Sequence, residues 1–136
     1  MKTFIIIDVL LKVDHNVSRH LTREYFQQSD WDLTILHYLG LDHIGHMEGP
    51  TSGHVRPKLD EMGKIIEKIK ENLFEKFLKS ENFLPPLILV LGDHGMADVG
   101  GHGGATPSEI LVPLVAISPN IAKHSKVFQS FFIYNY

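Results

Sequence analysis

The chain has 136 residues, 43% of them hydrophobic, which suffices to bury one core in a single domain of ordinary size. Thirteen basic side chains against sixteen acidic ones leave a formal net charge of −3, and lysines alternate with glutamates, so no basic face points to nucleic acid as a partner. Cysteine is absent; disulfides and thiolate metal sites are excluded, the compartment stays open, and any metal must be held by oxygen and imidazole.

The N-terminal "MKTFIIIDVLL" opens like a secretory signal, but Asp8 interrupts its apolar stretch and no small-residue cleavage site follows, so cleavage is not expected. Between Val13 and Phe26 the residues Val13, Val17, Leu21 and Tyr25 recur every four positions, which predicts a helix with Asp14 placed to cap its start. "DLTILHYLG" is rich in branched and aromatic residues and closes on Gly40; it predicts a strand running into the loop "LDHIGHMEGPTSGHVR". From Pro57 onward Leu59, Met62, Ile66, Ile69, Leu73 and Phe77 repeat at three- and four-residue steps, the clearest helix of the chain. "FLPPLILVLG" falls far short of the ~20 residues that cross a bilayer and is broken by Pro85 and Pro86. Its second part, "PLILVLG", has the pattern of a parallel strand covered on both faces. "EILVPLVAISP" predicts another strand, with Pro113 at a sheet edge or bulge.

This alternation predicts a single α/β unit over residues 1–136, an open, mostly parallel sheet with flanking helices. In such sheets ligands collect outside the carboxyl ends of the strands. "LDHIGH" leaves one strand end and "GDHGM" another, so the two clusters are expected to face each other across one crevice.

Asp42 and His46, four positions apart, form a carboxylate and imidazole pair of the kind zinc takes at ~2.0–2.2 Å. Alone, "DHIGH" reads more readily as an Asx turn with a solvated histidine. His43 is a candidate for an outer contact to the metal or the substrate, or is simply exposed. Asp93 and His94 are adjacent, and the turn permitted by Gly95 can bring both to the same ion; "GDHG" is otherwise a glycine turn with a cap. His102 lies in "GGHGG", where glycines remove bulk and open backbone angles closed to other residues. Together Asp42, His46, Asp93, His94 and His102 exceed what one tetrahedral ion needs, and a two-metal site suited to clamping a phosphoryl group follows. His37, inside "TILHYL", reads as packed. His54 sits in a Gly-Pro-Ser loop near Asp42 and is either exposed or a substrate contact. His15, His20 and His124 read as surface residues.

The segment "LHYLGLDHIGHMEGP", the long amphipathic helix, "LVLGDHGM" and "GGHGGATPSEILVPLVAISP" together resemble the alkaline-phosphatase-like superfamily and, within it, the GPI ethanolamine phosphate transferases. The similarity runs from about Asp14 to Pro119, so the resemblance implies a partial alkaline-phosphatase-like catalytic domain. It further implies a metal-dependent transferase of the endoplasmic reticulum membrane with its catalytic domain in the lumen. Such an enzyme moves phosphoethanolamine from phosphatidylethanolamine to a mannose of the GPI-precursor glycolipid, with room for a membrane partner subunit. By the family pattern Asp42, His46 and His102 bind one Zn2+ and Asp93 and His94 the other, and Mn2+ suits the same donors.

Two departures accompany the resemblance. The family's N-terminal metal-binding aspartate and its threonine nucleophile are not recognisable here. "FIIIDVL" imitates the aspartate-bearing strand, which makes Asp8 a stand-in, yet Thr22 and Thr34 fall inside predicted elements and neither suits a nucleophile. The family's C-terminal membrane region is also missing, and "SKVFQSFFIYNY" resembles nothing in it. A fragment that holds metal without turnover is the expectation. Metal-dependent phosphodiesterase or phosphatase chemistry, and a non-catalytic metal-binding fragment, are the alternatives.

Overall fold

A computed structural model describes residues 3–6, 13–27 and 30–119, with backbone alone for 3–6, 13, 23 and 24. Asp8, His124 and the C-terminal "SKVFQSFFIYNY" lie outside the described residues. In chain order the elements are β1 (Thr3–Ile6), α1 (Val13–Ser18), α2 (Arg23–Gln27), β2 (Leu33–Leu36), α3 (Gly40–Glu48), α4 (Val55–Lys79), β3 (Ile88–Leu91), α5 (Pro107–Ile110) and β4 (Leu114–Ile117).

The α4 periodicity yields a 25-residue helix. Its apolar stripe presses Leu73, Ile65, Ile69 and Phe74 onto Leu21 and Phe26, with Trp31, Leu36 and Ile88 packed around them. Trp31 stacks on Tyr25 with ring centroids 5.4 Å apart and planes within 9°. On the outer face Arg56 pairs with Asp60, Lys70 with Glu67 and Lys79 with Glu75, exposed pairs that each add only a few tenths of a kcal/mol.

The single helix expected over Val13–Phe26 is two short ones. The first run ends at Ser18, and Thr22 starts the second, its hydroxyl accepting the Tyr25 N–H at 3.2 Å as a cap does. Leu21 is buried in the core and Tyr25 packs against it, which is why a four-residue spacing survives the break. Asp14 does not cap its own helix; its carboxylate crosses to α3. The segment expected as a loop after Gly40 is itself helical for nine residues. Glycines at both ends and in its middle masked that helix in the sequence.

The mixed α/β character holds, but an open, mostly parallel sheet is not what the described residues form. Among them β1 pairs parallel with β2, in register Thr3↔Leu33 to Ile6↔Leu36, while β3 pairs antiparallel with β4, from Ile88↔Ile117 to Leu91↔Leu114. Between β3 and β4 lies only the four-residue α5. It is too short to return the chain as a βαβ crossover, so the strand comes back alongside in the opposite sense. The "EILVPLVAISP" segment is correspondingly half strand: its first two residues close α5 and β4 begins after Pro113. Pro113 has no N–H to give the ladder, but its carbonyl accepts from Gly92 at 3.4 Å. β3 is covered on one face only, since Ile88 packs on the core while Leu89 and Leu91 are each 54% exposed.

Candidate metal centre

β2 delivers the chain to α3, and β3 delivers it to the glycine loop; both leave from the carboxyl ends of their strands. On α3, Asp42 and His46 stand one turn apart on one face, with His46 Nε2 3.5 Å from Asp42 Oδ1. Gly45 between them is buried, and its bare backbone admits Met96 from the loop after β3: a Cβ there would lie 2.1 Å from the Met96 sulfur. That loop is in turn stitched to α5, through Gly95 N–H to the Glu109 carbonyl at 2.7 Å and Met96 N–H to the Ser108 carbonyl at 2.9 Å. Gly100, Gly101 and Gly103 take φ of +84°, +86° and +106°, left-handed angles that other residues adopt at a cost. Through them the chain doubles back and brings His102 over α3.

His102 Nε2 lies 3.4 Å from Asp42 Oδ1 and His94 Nε2 lies 3.8 Å from the same atom. The His94 and His102 rings stack at 3.7 Å between centroids, and His46 lies 5.0 Å from His102. Among the described residues Asp42, His46 and His102 form the group whose ligand atoms converge closely enough to hold a metal ion, all within 4.8 Å of one another.

Asp42 Oδ1 is buried and has no hydrogen-bond partner among the described residues. Three imidazole nitrogens surround it at 3.4, 3.5 and 3.8 Å, all beyond the usual hydrogen-bond range. Leaving a buried carboxylate oxygen unsatisfied costs at least ~1–3 kcal/mol. Two ligand atoms roughly 2.1 Å from one tetrahedral ion stand about 3.4 Å apart, which is the separation seen here. The donor set and its spacing fit a divalent cation.

His94 is oriented for that role. Its Nδ1–H donates to the Gly95 carbonyl at 2.8 Å; since a carbonyl only accepts, Nδ1 carries the proton and Nε2 presents its lone pair. Asp93 stands at the rim, 63% exposed. Its Oδ1 accepts the His94 N–H at 3.1 Å, and its Oδ2 lies 3.4 Å from His37 Nε2 and 3.8 Å from His94 Nε2.

Of the residues singled out from sequence, Asp42, His46, His94 and His102 are thus brought together, with Asp93 beside them. His43 is exposed on α3, outside the converging group. His54 is tied elsewhere: its Nδ1–H donates to Glu48 at 2.6 Å, beside a Ser52 hydroxyl that donates to the same oxygen at 2.5 Å. These two bonds, the Ser52 one first, hold the Glu48 carboxyl below its ordinary pKa. His15 and His20 are exposed, as expected.

Sequence reasoning undervalued three residues. His37, read as packed, is partly exposed at the end of β2 and reaches Asp93; its position at a strand's carboxyl end was the available signal. Glu109 is buried and accepts from the Thr106 hydroxyl at 2.6 Å and from the Gly104 N–H at 2.8 Å, pinning the chain two residues past His102. Those bonds, the hydroxyl first, lower its pKa. Asp14, read as a local cap, holds the start of α3 instead.

Residues 7–113 match the family described as type I phosphodiesterase / nucleotide pyrophosphatase. The human GPI ethanolamine phosphate transferase 2, catalytic subunit, is 47% identical over 107 residues, 79% of this chain and 11% of the relative. The GPI ethanolamine phosphate transferase 2 of Saccharomyces cerevisiae is 43% identical over 116 residues, 85% of this chain and 14% of the relative. That of Candida glabrata is 42% identical over 113 residues, 83% of this chain and 12% of the relative. The chain therefore spans between 11% and 14% of the length of these relatives. No solved structure matches it.

Proposed function

The chain belongs to the type I phosphodiesterase / nucleotide pyrophosphatase family, and from that premise we propose that it is the metal-holding part of a phosphoethanolamine transferase of GPI-anchor biosynthesis. Similarity to GPI ethanolamine phosphate transferase 2 supports the assignment. The observation that carries it is the buried, unpartnered Asp42 Oδ1 ringed by three imidazoles. In this reading Asp42, His46 and His102 hold one divalent ion and Asp93 and His94 a second, zinc or manganese suiting either. Bound there, the pair of ions would neutralise the phosphoryl oxygens and ease deprotonation of the attacking hydroxyl.

The protein's own groups position everything else. His94 keeps its lone pair inward through Gly95, His37 steadies Asp93, and the left-handed glycines bring His102 to Asp42 without side-chain bulk in the way. In the overall transfer, a mannose hydroxyl oxygen bonds to phosphorus and the bond from phosphorus to the diacylglycerol oxygen breaks, the hydroxyl proton passing to that leaving oxygen. In the family a threonine intervenes covalently. Here the Thr22 hydroxyl caps α2, the Thr34 hydroxyl bonds to Tyr25 and the Thr106 hydroxyl bonds to Glu109. Those three hydroxyls are engaged within the fold and Thr51 stands on an exposed turn after α3, so in this reading the chain by itself binds metal without transferring the group.

The setting follows from the same reading: the endoplasmic reticulum membrane, the site facing the lumen, with phosphatidylethanolamine and the GPI precursor as substrates and a membrane subunit as partner. Among the described residues no helix is long and apolar enough to cross a membrane. A second reading, phosphodiester hydrolysis at the same site with water in place of the sugar hydroxyl, is favoured by the description of the matched family.

Zinc titration followed by assay on a chromogenic phosphodiester separates these readings. Binding without turnover is the predicted result for this chain. Turnover that Asp93→Ala abolishes would favour the hydrolase. Absence of zinc binding would remove the metal centre and the proposal with it.

A further inference from the structure

α3 carries Asp42 and His46, yet its own sequence does little to fix where it starts. Leu39, which precedes its first residue, offers no side-chain cap, so the leading amides need a partner from elsewhere. They find it on α1: Asp14 Oδ1 accepts the Leu39 N–H and the Gly40 N–H, each at 3.0 Å, across 25 and 26 residues of chain. Asp14 is only 5% exposed. Its other oxygen, Oδ2, lies 2.7 Å from the Lys58 ammonium of α4, which also reaches Glu61 at 3.0 Å. Burial pulls the Lys58 pKa down, but its bonds to Asp14 and Glu61 outweigh that and leave it raised, so the ammonium stays charged beside Asp14. Gly40 leaves no slack: a Cβ there would stand 2.2 Å from Asp14 Oδ2 and 2.3 Å from Lys58 Cε.

We propose that the Asp14–Lys58 pair is the positioning device of the metal centre, locking the first turn of α3 so that Asp42 and His46 face His102 and His94. Three helices meet at a point two residues before Asp42. A helix turns about 100° per residue, so a start displaced by one residue rotates both ligands off the face they share with His102. The pair lies outside the converging ligand group and acts through the helix. Removing Lys58 alone would strand a buried carboxylate without its counter-charge, which is worse than removing both charges together.

The inference rests on the metal reading of the site, and the test keeps the two apart. Zinc affinity is measured by competition with a chromophoric chelator on the 136-residue chain and on Asp14→Ala, Lys58→Met and the double variant Asp14→Asn with Lys58→Met. The metal-free melting temperature of each is recorded alongside. Both single variants are expected to weaken zinc binding by about 10- to 100-fold, the range for groups supporting metal ligands. The double variant, which keeps an acceptor oxygen and has no unpaired charge, should recover most of the loss. Affinities within twofold of the parent, with only melting temperatures lowered, would overturn the positioning role and leave the metal centre standing. A parent chain that binds no zinc would overturn both. Should Asp14→Ala fail to fold, amide exchange in the parent decides: Leu39 and Gly40 N–H are expected to be protected, and exchange at open-chain rates would overturn the proposal.

Discussion

Asp42 Oδ1 is the buried atom on which the imidazoles of His46, His94 and His102 converge. A buried carboxylate oxygen with imidazole nitrogens just beyond hydrogen-bond reach is destabilising in a metal-free protein and stabilising once a cation joins the ligands. Asp42→Ala should therefore leave the metal-free melting temperature unchanged or higher, while abolishing the rise produced by zinc. For the parent that rise reflects about 2.7 kcal/mol when zinc is a hundredfold above its dissociation constant, and chelator should reverse it. A metal-free melting temperature that falls with Asp42→Ala would contradict this view of the site. The Asp-x-x-x-His spacing and the glycine-flanked His102 were legible from sequence because the chemistry is local. The partners of His37 and Asp14 were not, since each contact joins segments that only tertiary structure brings together.

At the scale of elements, close backbone approach decides whether the two ligand-bearing segments meet. A Cβ on Gly45 would collide with the flexible end of Met96, whereas one on Gly95 would lie 2.0 Å from the Ser108 carbonyl oxygen, a backbone atom with little freedom to move. Gly95→Ala is therefore predicted to be the worse substitution, costing on the order of 1–3 kcal/mol and more zinc affinity than Gly45→Ala, as read by urea titration with and without metal. Glu109 adds a pH signature to the same loop. Its depressed pKa means that its contribution is present above the ordinary value of 4.5 and is lost as pH falls through the lower folded value. Glu109→Gln should flatten the dependence of melting temperature on pH below 4.5; an unchanged acid slope would contradict the assigned bonds. α4 was legible because its apolar stripe repeats over 25 residues. α3 was hidden because its helical start is set by Asp14 of another element rather than by a neighbouring cap.

Among the described residues the buried core is small, centred on Leu21, Phe26 and Leu73. Leu73→Ala should destabilise by about 2–5 kcal/mol, a large share of the 5–15 kcal/mol typical of a domain, and saturating zinc should restore part of it. Leu33 and Ile35 on β2 and Leu89 and Leu91 on β3 remain half-exposed. Apolar surface of that kind binds hydrophobic dyes and promotes association, so the chain should enhance the fluorescence of an anilinonaphthalene dye and sediment faster at higher concentration. Mixed helix and strand content was legible from the alternation of periodicities. The pairing of strands was not, because whether β4 returns parallel or antiparallel depends on a four-residue helix whose second half lay in what read as a strand.

Asp42, His46 and His102 bring their ligand atoms within 4.8 Å of one another, and whether they hold a divalent cation is decided by a zinc competition titration of the parent chain beside single alanine variants. Saturable binding by the parent is expected, with a loss of at least tenfold on Asp42→Ala, His46→Ala or His102→Ala and no comparable loss on His43→Ala. Equal affinity across all four variants, or no binding by a folded parent, would contradict that expectation.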